Sequence, residues 1–343
     1  MYLTKLAVAC PLLLLLFSNV NAQNRHVKQI DELMNAAHQI GVFNGNVLVA
    51  EKGKVIYRSA IGYADGTKTK RLSPELRFDI GSISKEFNGV GIMMLREQGK
   101  LKLDDNVSKY LTQLPRWADK IQIKNLIQYT SGLPVGKANT DEEYSNALAK
   151  LKKLEFEPGT AFIYSNANVY LQKRIIEKIT GLSYKAFVET KILTPCGMTR
   201  AAVDVPIGDP SKARAFDNNF VESKYTPESS GWVDMTMDDL YQWTKCLHSY
   251  RILNERSFKE LAEGFGDSET SLGGTKFENN KLIIHQHQGS SYNYEALMVS
   301  RLPDDITVIL LTNNRNFKLF ELSDSIMAIL NDSPYQVPKR RST

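Results

Sequence analysis

Apolar positions first recur at helical spacing after an N-terminal hydrophobic run. Over residues 27–40, Ile30, Leu33 and Ala37 fall on one face. This spacing predicts an amphipathic helix that ends before Gly41. The pattern then changes to strand-like content, so the helix is expected to lead into a sheet.

Strand patterns occupy both ends of the chain. Residues 46–50 and 55–58 are mostly apolar and β-branched and flank a Glu-Lys-Gly-Lys turn, which predicts a β-hairpin. A matching pair, residues 295–301 and 306–312, flanks a Leu-Pro-Asp-Asp turn. Residues 317–330 then predict a closing helix.

The middle of the chain is mostly helical in pattern, with Pro and Gly as interruptions. Helices are predicted at residues 124–128, 141–151, 169–180, 184–193 and 237–247. Thr236 is a suitable N-cap for the last of these, with Asp239 three residues later.

The expected fold class is α+β. An antiparallel sheet built from both ends of the chain is flanked by the terminal helices, and a mostly helical domain is inserted between its halves. We place the α/β part at about residues 23–100 and 255–335 and the helical part at about residues 101–254. A cleft between the two parts is the expected place for a site.

The first 22 residues read as a signal peptide. Lys5 precedes an apolar run over residues 6–17, and residues 20–22 fit a cleavage site, so the mature domain is expected to cover residues 23–343. The run is too short for a comfortable membrane span, so no stable membrane insertion is expected after cleavage. Lipidation at Cys10 is a weaker alternative. The protein is therefore predicted to be periplasmic or secreted.

Composition and charge exclude some classes of partner. With 343 residues, 42% of them hydrophobic, the chain can bury a large core. The formal net charge is +5, and basic and acidic residues are interspersed, so no nucleic-acid surface is predicted.

Two cysteines, Cys196 and Cys246, remain after the signal peptide. Both have core-like neighbours, so buried free thiols are expected, although an oxidising compartment also permits a disulfide. Neither cysteine resembles a nucleophile.

A serine and a lysine three residues apart form the first candidate for chemistry. Ser82 is expected at a helix N-terminus, with Lys85 about one turn away on the same face. A serine hydroxyl needs a neighbouring base to become a good nucleophile, and a lysine can serve. The pattern is common, so its meaning depends on the motifs that accompany it.

Tyr164 and Asn166 form the second candidate, because they follow a Pro-Gly turn immediately before a helix. A tyrosine hydroxyl can relay a proton, although a tyrosine is more often a buried residue with a satisfied hydroxyl.

His287 and Gly289 form the third candidate, on a predicted strand over residues 283–289. A glycine there allows close approach of a ligand, and the strand edge could pair with an extended substrate. His285 shares a face with His287, so a zinc site is an alternative, but no carboxylate stands beside the pair in sequence.

Together, the motifs at residues 82–85, 164–166 and 287–289 resemble, in this order, those of the serine β-lactamase and penicillin-binding-protein family. The similarity is to its class C β-lactamase and D-alanyl-D-alanine carboxypeptidase group. Supporting matches lie at residues 45–50, 103–105, 130–134 and 197–198. The resemblance covers about residues 43–314 and implies the β-lactamase/transpeptidase-like fold.

The resemblance also implies a role for each motif residue. Ser82 would attack the substrate, while Lys85 and Tyr164 would remove its proton and later protonate the leaving group. Asn166 would position the substrate and Lys85. The remaining implied roles are substrate binding by His287 and Gly289, and an oxyanion hole made by the backbone N–H groups of Ser82 and Ser290. No cofactor and no metal are implied.

Two positions depart from the family pattern. His287 stands where β-lactamases of this group have lysine, which is closer to the carboxypeptidases, D-aminopeptidases and related esterases. Asn293 and Tyr294 stand where the family has Gly-Phe. Because asparagine tolerates a positive φ, the turn is expected to survive the change.

The function expected from these motifs is that of an exported serine hydrolase that forms an acyl-enzyme on Ser82. Its expected substrate is a peptide containing D-amino acids, or a related small amide or ester, and an esterase or a β-lactamase of the same family is an alternative. A catalytically silent family member that binds peptidoglycan or a protein is an alternative of another class.

Overall fold

The computed structural model describes residues 12–136, 138–206, 208–224 and 229–340, with side chains from Asn24 onward. The predicted signal peptide at residues 1–22 falls partly on residues 1–11, which lie outside the described residues, as does Cys10. The signal peptide therefore stays a prediction. Among the helices that the structure describes, none is long and apolar enough to cross a membrane.

The main sheet joins the two ends of the chain, as the strand pattern predicts. Its strands are β1 (Gly45–Glu51), β2 (Lys54–Ile61), β6 (Gly274–Glu278), β7 (Lys281–Ser291), β8 (Tyr294–Arg301) and β9 (Ile306–Thr312). All neighbours are antiparallel, in the order β2-β1-β9-β8-β7-β6. Val47 of β1 lies opposite Leu310 of β9 and both are buried. Covered on both faces, these central strands are apolar at nearly every position.

The terminal helices α1 (Leu12–Gln39) and α9 (Leu319–Leu330) cover one face of this sheet. Leu33 and Ile326 pack there with Val308 of β9 in one apolar cluster. Helix α1 extends further toward the N-terminus than the amphipathic pattern predicts. Helix α9 begins two residues later than predicted, because Phe317 adopts a positive φ of 57° that a helix does not admit.

The remaining helices lie between strands β2 and β6 in sequence. They are α2 (Lys85–Glu97), α3 (Ile123–Ile127), α4 (Asp141–Lys150), α5 (Asn166–Thr180), α6 (Tyr184–Val188), α7 (Met237–His248) and α8 (Glu255–Ala262). Thr236 caps α7 by accepting the backbone N–H of Asp239, as predicted. Helix α5 starts three residues before the predicted position because Ser165 supplies an N-cap.

A small second sheet is missing from the sequence-based prediction. It pairs β3 (Phe78–Asp79) and β4 (Ala202–Val203) with β5 (Val233–Met235), in the order β3-β5-β4. Strands of two or three residues carry too little periodicity to be recognised. The observed architecture is the predicted α+β class, an antiparallel sheet with helices, while the boundaries at residues 101 and 254 stay predictions.

The expectation of free thiols at Cys196 and Cys246 is wrong. Both residues are buried, as expected, but they form a disulfide with their Cα atoms 5.5 Å apart. Cys196 follows the π-helical turn after α6, and Cys246 lies in α7. The pairing depends on how these helices pack, which their local sequences do not reveal.

Candidate active site

Ser82 lies in a 3₁₀ turn, Gly81–Ser84, that leads directly into α2. Asp79 accepts the backbone N–H of Gly81 at 2.8 Å, and Ser84 Oγ accepts the N–H of Val233 at 3.0 Å. These bonds tie the turn to strands β3 and β5 of the small sheet. Ser82 itself is only partly buried, so its hydroxyl is held in place and still reachable.

Two proton-bearing side chains converge on Ser82 Oγ. Lys85 Nζ donates to it at 2.8 Å, and Tyr164 Oη donates to it at 2.9 Å. Lys85 is almost completely buried, and its Nζ lies 5.1 Å from the ring centres of both Tyr164 and Trp232. The structure thus brings the three residues predicted to be catalytic into one hydrogen-bonded group.

The loop before α5 places Tyr164 and Asn166. The backbone N–H of Ile163 bonds to the carbonyl of Tyr129 at 3.0 Å, and the ring of Tyr164 lies 4.9 Å from that of Tyr129. Asn166 begins α5 and is exposed. It lines a cavity together with Lys85, but makes no hydrogen bond to Lys85 among the described residues. The role expected for Asn166 in positioning the substrate and Lys85 therefore stays a prediction.

The cavity beside Lys85 has mainly apolar walls. Its lining includes Val169, Tyr170 and Trp232 together with Asn166. It lies directly beside the nucleophile's lysine, which makes it a suitable place for a side group of a bound molecule.

Strand β7 passes so close to the nucleophile turn that two positions require glycine. A Cβ atom on Gly289 would lie 1.8 Å from the carbonyl oxygen of Ile80 and 2.7 Å from the backbone nitrogen of Ser82. A Cβ atom on Gly81 would lie 2.3 Å from the backbone nitrogen of Ser290. The structure thereby places the backbone nitrogens of Ser82 and Ser290, the predicted oxyanion-hole donors, on neighbouring segments.

The side chain of His287 is buried. It lies on the face of β7 that meets α2, and its Nδ1 is 2.8 Å from Oε1 of Glu86. Trp243 of α7 donates its indole N–H to Oε2 of the same carboxylate at 2.6 Å. Glu86 and Trp243 are thus parts of the site's surroundings that the sequence-based prediction missed.

The charge of Glu86 is stabilised inside the protein. Burial alone would raise its pKa, but the neighbouring imidazoles of His285 and His287 outweigh that effect and hold the pKa at about 2. Glu86 is therefore a carboxylate at neutral pH despite its complete burial.

The imidazole of His285 is occupied by internal hydrogen bonds. Its Nε2 lies 2.9 Å from the carbonyl of Leu272 and its Nδ1 lies 2.9 Å from Nε2 of His248. Burial lowers the pKa of His248 to about 3, with a smaller effect from His285. Among the described residues, no group of three or more His, Cys, Asp or Glu side chains is arranged to hold a metal ion.

The turn after β7 differs from the expectation for Asn293. The residue with positive φ is Tyr292, at 51°, and not Asn293. Asn293 instead donates its side-chain N–H to Ser223 Oγ at 2.8 Å. The side-chain amide of Asn293 therefore links the turn to the segment of Ser223.

Comparison with known proteins gives a consistent result. The model of the Beta-lactamase family matches residues 26–328. Penicillin-binding protein 4* of Bacillus subtilis (strain 168) is 27% identical in an alignment of 358 positions, gaps included, that covers 93% of this chain and 78% of that protein. Protein flp of Staphylococcus aureus (strain N315) is 27% identical over 320 residues, 84% of this chain, and the chain spans only 64% of its length.

Solved structures share the fold. A class C β-lactamase superposes with a TM-score of 0.76 at 19% identity, covering 92% of this chain and 98% of its own. The D-amino acid amidase of Ochrobactrum anthropi SV3, complexed with D-phenylalanine, superposes with a TM-score of 0.75 at 19% identity, covering 91% and 99%. At such identities the similarity establishes the fold alone.

Proposed function

The chain belongs to the Beta-lactamase family, a family of serine hydrolases, and from this premise we propose that it transfers acyl groups through a covalent intermediate on Ser82. The observation that carries the proposal is the convergence of Lys85 Nζ and Tyr164 Oη on Ser82 Oγ, at 2.8 and 2.9 Å. A hydroxyl at the start of a helix, held by two groups that can exchange protons, is arranged as an activated nucleophile.

In the proposed reaction, Ser82 Oγ attacks a carbonyl carbon while its proton passes to the Lys85 and Tyr164 pair. The same pair returns a proton to the leaving group. The backbone N–H groups of Ser82 and Ser290 stabilise the negative oxygen that develops on the carbonyl. Water or another acceptor then releases the acyl group from Ser82.

The proposed substrate is a peptide that contains D-amino acids, or a related small amide or ester. Support comes from a relative named as a penicillin-binding protein and from a structural neighbour that is a D-amino acid amidase. The cavity beside Lys85 and Asn166, about 30 Å³ in volume, offers room for a small group of such a substrate. His287, in place of lysine, favours this reading over efficient β-lactam hydrolysis.

The protein is further proposed to act outside the cytoplasm. The predicted signal peptide supports this, and the disulfide between Cys196 and Cys246 gives independent support. Disulfides of this kind persist in the periplasm and outside the cell, and are rare in reducing compartments.

Intact-mass spectrometry with a fluorescent penicillin tests the proposal. The mature protein is expected to gain one penicilloyl group, and the Ser82→Ala variant none. A small activated ester is tested in parallel, because an esterase would label Ser82 with the ester alone. A folded protein that neither reagent labels would contradict acyl transfer and would favour a family member that only binds its ligand.

A further inference from the structure

A buried carboxylate lies in helix α2, which follows the turn of the candidate nucleophile. Glu86 follows Lys85 in α2, has no solvent exposure, and is held by Trp243 at 2.6 Å and by His287 at 2.8 Å. Burying an ionised carboxylate costs a sizeable part of a domain's stability unless hydrogen bonds and nearby charge compensate it. Such a carboxylate is expected to fix the arrangement of its hydrogen-bond partners, Trp243 and His287.

The hydrogen-bond chemistry fixes the state of the His287 ring. A carboxylate only accepts, so the Nδ1 atom of His287 must carry a hydrogen in either protonation state. Nε2 is then the ring nitrogen that changes, accepting when the ring is neutral and donating when it is protonated. Among the described residues, Nε2 of His287 has no hydrogen-bond partner.

The strand that carries this ring packs against the turn of Ser82. Gly289, two residues further along the same face of β7, is packed against the backbone nitrogen of Ser82. Glu86 is four residues from Ser82 along the turn and helix that carry both. The ring of His287 is therefore held by a buried anion and lies on the strand that packs against the reacting segment.

We infer that Glu86 is a positioning residue of the site: anchored by the indole N–H of Trp243, its carboxylate holds His287 by Nδ1–H, so that Nε2 is the nitrogen left available to a bound substrate. The inference rests on the proposed acyl transfer at Ser82. A lysine at position 287 would not need this role of Glu86. An imidazole has two nitrogens and needs a partner that selects which of them carries the hydrogen.

The two hydrogen bonds that Glu86 accepts also predict the effect of a conservative substitution of this residue. In Glu86→Gln the amide has one accepting oxygen and one donating nitrogen, whereas Trp243 and His287 both donate to this position. If the oxygen stays with Trp243, the amide N–H faces Nδ1 and selects the opposite tautomer of His287. Adding Trp243→Phe removes the competing donor and frees the oxygen for His287.

Long-range ¹H–¹⁵N spectra of histidine-labelled protein read the tautomer without substrate, with His287→Asn identifying the signal. We expect the Nδ1–H tautomer in the wild type, the Nε2–H tautomer in Glu86→Gln, and a return to Nδ1–H in Glu86→Gln/Trp243→Phe. The rate of Ser82 acylation by the small ester should fall about tenfold to a hundredfold in Glu86→Gln and recover in part in the double variant. Trp243→Phe alone controls for the loss of the indole.

An unchanged tautomer in Glu86→Gln would overturn the inference, and so would a changed tautomer with wild-type acylation kinetics. The tautomer also separates this inference from the proposed function. If the wild type fails to label Ser82 while Glu86→Gln shows the changed tautomer, acyl transfer is contradicted. Glu86 then remains the residue that orients His287.

Discussion

The hydroxyl of Tyr164 lies 2.9 Å from Oγ of Ser82, although 82 residues separate them in sequence. Removing only this hydroxyl, in Tyr164→Phe, leaves the aromatic ring against Tyr129 and takes away one of the two proton-handling partners. We expect the rate of Ser82 acylation by a small ester to fall by about 10²–10⁴-fold. Stopped-flow ester hydrolysis measures this rate.

Tyr129→Phe is the matched control for this prediction. Its ring packs against Tyr164, but its hydroxyl makes no hydrogen bond to Ser82. The control should acylate within about twofold of the wild type, since an uncoupled change has little effect on the barrier. Equal rates in Tyr164→Phe and Tyr129→Phe would remove Tyr164 from the mechanism.

Much of this arrangement follows from local sequence. The spacing of Ser82 and Lys85 predicts one face of a helix start, and the observed Nζ to Oγ distance of 2.8 Å agrees. The apolar strand patterns at both ends of the chain predict the antiparallel sheet. The residues of each strand indicate on their own that the strand is buried. The convergence of Tyr164 on Ser82 follows only from the family resemblance, since no local rule relates residues so far apart.

Glu86 shows why the remainder was missed. A glutamate beside a lysine in a helix reads as part of a solvated face, yet this one is fully buried. Its partners, Trp243 and His287, are 157 and 201 residues away. A long-range polar network leaves no periodic signal, and the same holds for the pairing of Cys196 with Cys246.

The close approach of β7 to the nucleophile turn predicts a severe effect of Gly289→Ala. The added methyl group would lie 1.8 Å from the carbonyl oxygen of Ile80, so the backbone around Ser82 must shift. We expect at least about a hundredfold loss of Ser82 labelling, since a displacement of about 1 Å can have that effect. Intact-mass labelling and circular dichroism of the same sample separate loss of activity from loss of fold.

Gly274→Ala provides the control for that substitution. Gly274 lies on the adjacent strand β6, and its nearest atom to an added Cβ is 3.5 Å away, an ordinary contact. This variant should label as the wild type does. Normal labelling of Gly289→Ala would mean that the two segments do not need their observed contact.

The disulfide between Cys196 and Cys246 should contribute to stability. It closes a loop with a sequence separation of 50 residues, and its removal enlarges the entropy of the unfolded chain. We expect Cys196→Ser/Cys246→Ser to lower the free energy of unfolding by about 2–4 kcal/mol. Urea denaturation measures the difference. A double variant with wild-type stability would show that the buried packing alone supports this region.

The buried Glu86 and His248 predict that acid destabilises the fold. The pKa of His248 falls from 6.5 to about 3 on folding, because burial and then His285 disfavour its charge. The pKa of Glu86 falls from 4.5 to about 2, where the effect of the imidazoles exceeds that of burial. For both groups the unfolded chain binds more protons between these values, so stability is complete above about pH 6.5 and is lost as the pH falls, toward 3 for His248 and toward 2 for Glu86.

Urea denaturation at several pH values tests this sign and its origin. Between pH 6.5 and 4.5, a slope of up to about 1.4 kcal/mol per pH unit is expected from His248, and Glu86 adds to it below pH 4.5. His248→Gln keeps a side chain that can donate to His285 and removes the titrating ring, so its slope in the upper window should be shallower. Gln242→Ala, on the same helix, should keep the wild-type slope. Identical slopes in His248→Gln and the wild type would place the acid sensitivity elsewhere.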